Sequence, residues 1–127
     1  MTAPSSLYEV VGGDQFFVDL VDRFYVHVEQ QPSLRAMYPD DLDGPRQRLT
    51  LFLIQYWGGP GTYSEQRGHP RLRMRHNPYQ IDCSARDMWL GCMSAAVAES
   101  APPVAIGEAL LDYFVRSADF MRNVAEP

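Results

Sequence analysis

The side chains able to do chemistry in this sequence are few, and their spacing excludes most of what they could do. There are three histidines, His27, His69 and His76. No two stand at the i, i+4 spacing of a helical zinc site, and there is no His-Glu-x-x-His. Neither a Gly-x-Ser-x-Gly elbow nor a phosphate loop occurs. The two cysteines, Cys83 and Cys92, show no Cys-x-x-Cys spacing, no zinc pattern and no Cys-x-x-Cys-His haem-attachment motif. A metal site made of side chains alone is therefore poorly supported. A metal carried inside a cofactor needs only one protein ligand, and haem is the common case. Any haem would be held without thioether links.

Taken singly, a histidine is more often structural or exposed than a ligand. His27 has polar neighbours and reads as solvated. His69, before Pro70, reads as orienting a turn. His76 differs in its company. It ends the run Arg71-Leu72-Arg73-Met74-Arg75-His76, and a separate apolar helix around Leu49 to Phe52 offers a second wall for a flat macrocycle. Such a macrocycle also needs cations at its edge for two propionates, and Arg75 is adjacent. All eleven basic residues are Arg, and Arg67, Arg71, Arg73 and Arg75 fall within nine positions. That cluster is either a solvated face or an anion clamp, since guanidinium forks match carboxylates and phosphates.

A series of amphipathic helices must position these residues. The spacing predicts a short helix over 5–11, stopped by Gly12-Gly13, with Asp14 as the N-cap of the next. Phe16, Phe17, Leu20, Val21, Phe24, Tyr25 and Val28 recur at helical spacing and predict a helix over about 15–30. A short helical turn follows Pro32 and ends before Pro39. Pro45 opens another helix, whose face is Leu49, Phe52, Leu53, Tyr56 and Trp57 and whose end is Gly58-Gly59-Pro60. Residues 58–69 read as loop, and Pro70 as the start of a short helix through His76 that Pro78 limits. Ser84 with Asp87 resembles a capping box, ahead of the stripe Met88, Trp89, Cys92, Met93, Ala96 and Val97, which makes Cys92 a core residue. Pro102-Pro103 separate it from a last helix carrying Ile106, Leu110, Leu111, Phe114, Val115 and Ala118. No strand pattern competes, so the class is all-α, in one domain over 1–127.

A chain of 127 residues suits one core. With 46% hydrophobic and 21% charged residues it has the balance of a soluble globular protein. A net charge of −5 argues against a general nucleic-acid or anionic-membrane binder. No apolar run reaches the roughly 18 residues of a membrane helix. Residues 1–13 lack the basic and apolar character of a secretory signal, so the expected compartment is the cytoplasm.

The run Tyr56-Trp57-Gly58-Gly59-Pro60, followed by Tyr63-Ser64-Glu65-Gln66-Arg67-Gly68-His69-Pro70-Arg71-Leu72-Arg73-Met74-Arg75-His76, closely resembles the truncated haemoglobins. More narrowly, it resembles their second group in its actinobacterial form. Gly12-Gly13, the Phe24-Tyr25 pair, Tyr38-Pro39 and Trp89 extend the resemblance over nearly the whole chain. It implies a truncated globin, a two-over-two helical sandwich around haem b, with His76 as the protein ligand of a five-coordinate iron. It implies that Tyr25, Tyr38 and Trp89 lie on the distal side, where dioxygen or another diatomic ligand binds. Leu49 and Phe52 match apolar distal-helix positions, and Pro45 the pocket entrance. Arg48, Tyr63 and Arg75 match positions that contact propionates.

The residues themselves agree in part. Read alone, Tyr25 is an interior tyrosine with its hydroxyl bonded to backbone, and Trp89 is a core side chain. In a haem pocket the same phenol and indole N–H, with Tyr38, are donors to a partly negative ligand. Three donors slow its release, because a buried donor left unpaired costs about 1–3 kcal/mol. Pro45 stands where Ala or Thr is frequent in the group, and like Leu49 it offers no hydrogen bond. The pattern does not match the first group, with its polar distal helix, so that group's nitric-oxide detoxification does not transfer. Two functions follow from the resemblance. One is redox chemistry on oxygen, peroxide or nitric oxide, peroxidase-like or dioxygenase-like, with a reductase as partner. The other is a non-catalytic oxygen store, carrier, scavenger or sensor. A cofactor-free helical interaction module is a third reading, under which the Gly-Gly-Pro loop and its spacing to His76 are coincidence. The oligomeric state is not legible.

Overall fold

Apolar stripes at helical spacing need partners, and the longer helices supply them by packing on one another. The computed structural model describes residues 6–69, 76 and 81–122. These residues form seven helices and no strand: α1 Leu7–Val10, α2 Asp14–Glu29, α3 Pro32–Arg35, α4 Asp43–Tyr56, α5 Thr62–Arg67, α6 Cys83–Ser100 and α7 Val104–Met121. The most extensive packing is α2 on α6, then α6 on α7 and α2 on α4. Two pairs, α2 with α4 and α6 with α7, thus meet through α2 and α6, in the two-over-two arrangement expected. No helix among the described residues is long and apolar enough to cross a membrane.

The α2 stripe forms the centre of the core. Phe17, Leu20, Val21, Phe24 and Val28 are fully buried, clustered with Met93 and Ala96 of α6 and Leu110 and Phe114 of α7. Each large apolar side chain so buried contributes roughly 1.5–3 kcal/mol. The short α1 is held at its first turn. Ser6 caps it, accepting from the Glu9 N–H at 3.2 Å, and the Tyr8 N–H donates to the Trp57 carbonyl at 3.0 Å. Its docking explains the Gly58-Gly59 pair that ends α4. Gly58 takes φ +105°, a left-handed conformation. A Cβ on Gly59 would stand 2.6 Å from Ile54 Cγ2 and 2.8 Å from the Tyr8 ring.

Several local expectations are corrected. Asp14 is the first residue of α2 rather than its cap. Gly13, at φ +89°, holds the cap position, and the Asp14 carboxylate accepts from the Tyr8 hydroxyl at 2.6 Å instead. Residues 58–69 are not all loop, because Thr62–Arg67 form α5. The Gln55 amide holds it, donating to Ser64 Oγ at 2.8 Å and accepting from the Ser64 N–H at 2.9 Å. Only Tyr63 of its residues is buried, so no stripe marks it. The cap of α6 is Asp82, which accepts from the Ala85 N–H at 2.8 Å. Ser84 is exposed, and Asp87 pairs with Arg86 at 3.1 Å. Helix α4 begins at Asp43, leaving Pro45 within its first turn. His27 is half-buried with Nε2 2.9 Å from Glu99, and Val115 faces solvent. The helix expected from Pro70 lies outside the described residues, and His76 is in a turn.

Candidate functional site

Where α2 to α5 meet α6 and α7, packing leaves a cavity of about 480 Å³, within the size range of cofactor sites. Six of the seven described helices reach it, because each turns only part of its surface to the core. From α2 comes Tyr25, and from the turn after α3 comes Tyr38. One face of α4 gives Pro45, Arg48, Leu49 and Phe52, and α5 gives Tyr63. His76 and Trp89 complete the set, so nine residues singled out in the sequence share one cavity. Arg75 lies outside the described residues, as do Arg71 and Arg73.

The donors are held by ring packing. Tyr25 is 2% exposed. Its ring meets Phe24 edge-on at 4.9 Å and Tyr38 edge-on at 5.6 Å. The Arg46 guanidinium lies 5.9 Å above it, a cation–π arrangement, and is tied to Asp22 at 3.3 Å. Burial pushes the Tyr25 phenol well above the usual range. The neighbouring Tyr38 adds to this, by charge and by hydrogen bonding, and Arg48 and Arg46 oppose it. Tyr25 therefore keeps its proton at any physiological pH and stays a donor. Trp89 is wedged between Phe24, at 5.3 Å, and Phe114, at 5.8 Å. Tyr63 is buried with its ring 5.5 Å from Phe52.

Sequence reasoning missed part of the wall. Tyr113 and Ser117 of α7 line the cavity, as do Arg67 and Arg86. Burial raises the Tyr113 phenol, and a hydrogen bond with Ser117 partly offsets this. The available signal was a polar pair four residues apart beside Leu110 and Phe114, the i, i+4 spacing that puts two side chains on one helix face. Arg86 is clamped by Asp119 at 2.9 Å. Cys92 is buried, which pushes its thiol up and leaves it an inert core residue.

The lining suits haem in its chemistry. Its described residues include one imidazole, three guanidinium groups (Arg48, Arg67 and Arg86) and no carboxylate. A single imidazole serves one axial position of a haem iron. Leu49, Phe52 and Ile81 offer apolar surface to a flat ring, and guanidinium groups match its carboxylates. Among the described residues there is no group of three or more His, Cys, Asp or Glu that could hold a bare metal ion.

Comparison with known proteins points the same way. The bacterial-like globin family matches residues 6–123. The sequence is 42% identical over 90 residues to Group 2 truncated hemoglobin YjbI of Bacillus subtilis, covering 71% of this chain and 67% of that protein. The chain spans 56% of the length of two plant relatives, from Arabidopsis thaliana and Lotus japonicus. A thermostable haemoglobin from the actinobacterium Thermobifida fusca has a similar structure, with 52% identity and a TM-score of 0.94 over 96% of this chain and 100% of that one. Haemoglobin from Chloroflexus aurantiacus has 45% identity and a TM-score of 0.93, over 95% and 100%. Haemoglobins of the globin family bind haem with its iron, the group whose chemistry this cavity suits. By its sequence, its helical arrangement and this cavity, the chain belongs to the bacterial-like globins, as a truncated haemoglobin of the second group.

Proposed function

We propose that the protein holds haem b in this cavity with His76 as the iron's protein ligand, binds dioxygen and other diatomic ligands there, and supports redox chemistry on oxygen, peroxide or nitric oxide. One observation carries the reading: a single imidazole among the described lining residues shares one cavity with the aromatic donors Tyr25, Tyr38 and Trp89. Haem supplies the iron at which a diatomic ligand is held and electrons are exchanged.

The chain's own residues orient and protect that chemistry. Tyr25, Tyr38 and Trp89 donate hydrogen bonds to the ligand. Tyr25 does so as a neutral phenol, kept protonated by its burial. The Trp89 indole N–H can only donate, so it favours a ligand that gains negative charge. In a water-excluded site such donors stabilise developing charge without having to reorganise. Leu49 and Phe52 exclude water. Leu49 and Pro45 have no donor, so polar contact rests on the three aromatics. Arg48 and Tyr63, together with Arg75, hold the propionates. A reductase supplies electrons, and the cytoplasm is the compartment.

An absorption spectrum tests the site: ferric protein, then dithionite-reduced protein under carbon monoxide, beside His76→Gly. The expected result is an intense haem band that shifts with carbon monoxide, and an altered band in the variant that recovers with imidazole. A chain that takes up no haem on reconstitution overturns the reading. Slow dioxygen release, with a response to peroxide or nitric oxide, supports the redox part. Fast release with no response assigns the protein to storage or carriage instead.

A further inference from the structure

Arg46 of α4 does not line the cavity, yet its guanidinium lies over the ring of Tyr25, 5.9 Å from the centroid. Phe24 and Tyr38 meet the same ring edge-on, at 4.9 Å and 5.6 Å. The cation thus covers a face that the two aromatic neighbours leave open. Arg46 is itself anchored. Its Nε is buried and stands 3.3 Å from the Asp22 carboxylate, and its Nη1 is 3.8 Å from Asp43. Asp22 and Tyr25 are three residues apart on α2, the spacing that sets two side chains side by side on one helix face. One arginine from α4 therefore spans both. Other guanidinium groups near the cavity are placed differently. Arg86 is clamped by Asp119 at 2.9 Å. Arg48 lies over Gly44, its Nη1 2.9 Å from where a Cβ there would stand. A cation over a ring face draws on the ring's electron density, which makes a phenol O–H a stronger donor. Burial and Tyr38 raise the Tyr25 phenol, and the charges of Arg48 and Arg46 oppose them, in the direction such polarisation requires.

We propose that Arg46 is a positioning residue for ligand binding: anchored by Asp22, its guanidinium fixes the Tyr25 ring from outside the cavity and strengthens the Tyr25 hydroxyl as a donor, which slows release of a bound diatomic ligand. The inference rests on the reading above, in which Tyr25 donates to that ligand. Arg46 touches neither haem nor ligand, so its whole effect on release passes through Tyr25. That is what separates it from a residue that merely ties α4 to α2, whose loss would loosen the cavity whatever stood at position 25.

The test compares haem-loaded wild type with Arg46→Met, Arg46→Lys, Asp22→Asn, Tyr25→Phe and the double variant Arg46→Met with Tyr25→Phe. Dioxygen release is followed by stopped flow, and the C–O stretch of bound carbon monoxide by infrared spectroscopy. Arg46→Met keeps the length of the side chain and loses its charge. It should release dioxygen about three- to tenfold faster, the range a cation–π contact spans, and move the C–O stretch to higher wavenumber, as a weaker donor does. Arg46→Lys keeps the charge and should recover part of both. Asp22→Asn should shift both in the same direction as Arg46→Met, by less. In the Tyr25→Phe background, adding Arg46→Met should change neither. If Arg46→Met does not fold, Asp22→Asn with and without Tyr25→Phe makes the same comparison. A change as large in the Tyr25→Phe background as in wild type overturns the proposal and leaves Arg46 a structural tie. Release and stretch that respond to Tyr25→Phe but not to Arg46→Met overturn it too, and leave Tyr25 standing as the donor. If Tyr25→Phe itself moves neither, both the donor role and the proposal fall, while the haem band still reports the cofactor.

Discussion

The two halves of α6 belong to one helix but carry different residues for different uses. In its C-terminal half Cys92, Met93, Ala96 and Val97 are buried within the core cluster shared with α2 and α7. In its N-terminal half Ala85, Arg86 and Trp89 line the cavity, and the last two are only half-buried. Where the neighbours are all protein, the residues are apolar and close-packed. Along the cavity wall, donors, a guanidinium and apolar surface alternate, because the wall must match a group with its own polar edge. The first kind of region sets stability, and the second sets what the cavity can hold.

The largest expected effect sharpens that division. Phe17 is fully buried, stacked on Tyr8 and edge-on to Phe16, and does not line the cavity. Phe17→Ala should cost about 3–5 kcal/mol in urea unfolding followed by circular dichroism. Leu49, half-buried on the cavity wall, should lose clearly less stability as Leu49→Ala and should instead change dioxygen release, measured by stopped flow. Equal losses of stability in the two variants would erase the distinction.

Glycines give the next test, with opposite signs. At Gly59 a Cβ would meet Ile54 and Tyr8 inside 3 Å, so Gly59→Ala should destabilise by about 1–3 kcal/mol. Gly91 lies in α6 with nothing within 4 Å of its added Cβ. Gly91→Ala should stabilise the fold by about 0.5–1 kcal/mol, read as a higher urea midpoint, because alanine is the better helix former. The Gly-Gly-Pro signal was thus legible as a helix stop, but its second purpose was not. That purpose depends on Tyr8, which is distant in sequence.

The same limit runs through the rest of the molecule. The α2 stripe could be read because one face carries nearly all of its buried residues. Helix α5 could not, since a lone buried Tyr63 makes no period. In α7 the stripe extended to Val115, which the fold leaves facing solvent. A stripe gives the direction of the core but not its edge. The cavity residues singled out in the sequence are scattered from Tyr25 to Trp89, and periodicity alone does not gather them; the resemblance to a family did. Tyr113 and Ser117 escaped because a polar pair on an apolar face reads like an ordinary boundary of the stripe.

A pH series tests whether Tyr25 belongs to both regions at once, as a buried side chain and a cavity donor. Burial raises its phenol in the folded chain, while the unfolded phenol ionises near pH 10. Its contribution to stability is therefore fully present below about pH 10 and is lost as pH rises further, at about 1.4 kcal/mol per pH unit. Tyr25→Phe should remove that slope from urea midpoints taken between about pH 9 and 11. Some slope should remain, because the Tyr113 phenol is raised as well. The same variant should release dioxygen faster at neutral pH, where the alkaline term is silent.

The smallest effect falls at the junction of the two regions, where α6 starts beside the cavity residues Ile81 and Ala85. The sequence pattern places the cap of this helix at Ser84. The structure uses Asp82, whose carboxylate accepts from the Ala85 N–H at 2.8 Å, and leaves Ser84 exposed. Asp82→Ala should cost about 1 kcal/mol, whereas Ser84→Ala should stay within about 0.5 kcal/mol of wild type. The carboxylate also places a negative charge at the positive end of an 18-residue helix, so Asp82→Asn should retain the hydrogen bond and lose only the charge term. Its midpoint should fall between those of wild type and Asp82→Ala, and more nearly equal to wild type at high salt. If Ser84→Ala were the costlier change, the helix would begin later than described, and Ala85 would no longer be fixed at the cavity wall by its capped N–H.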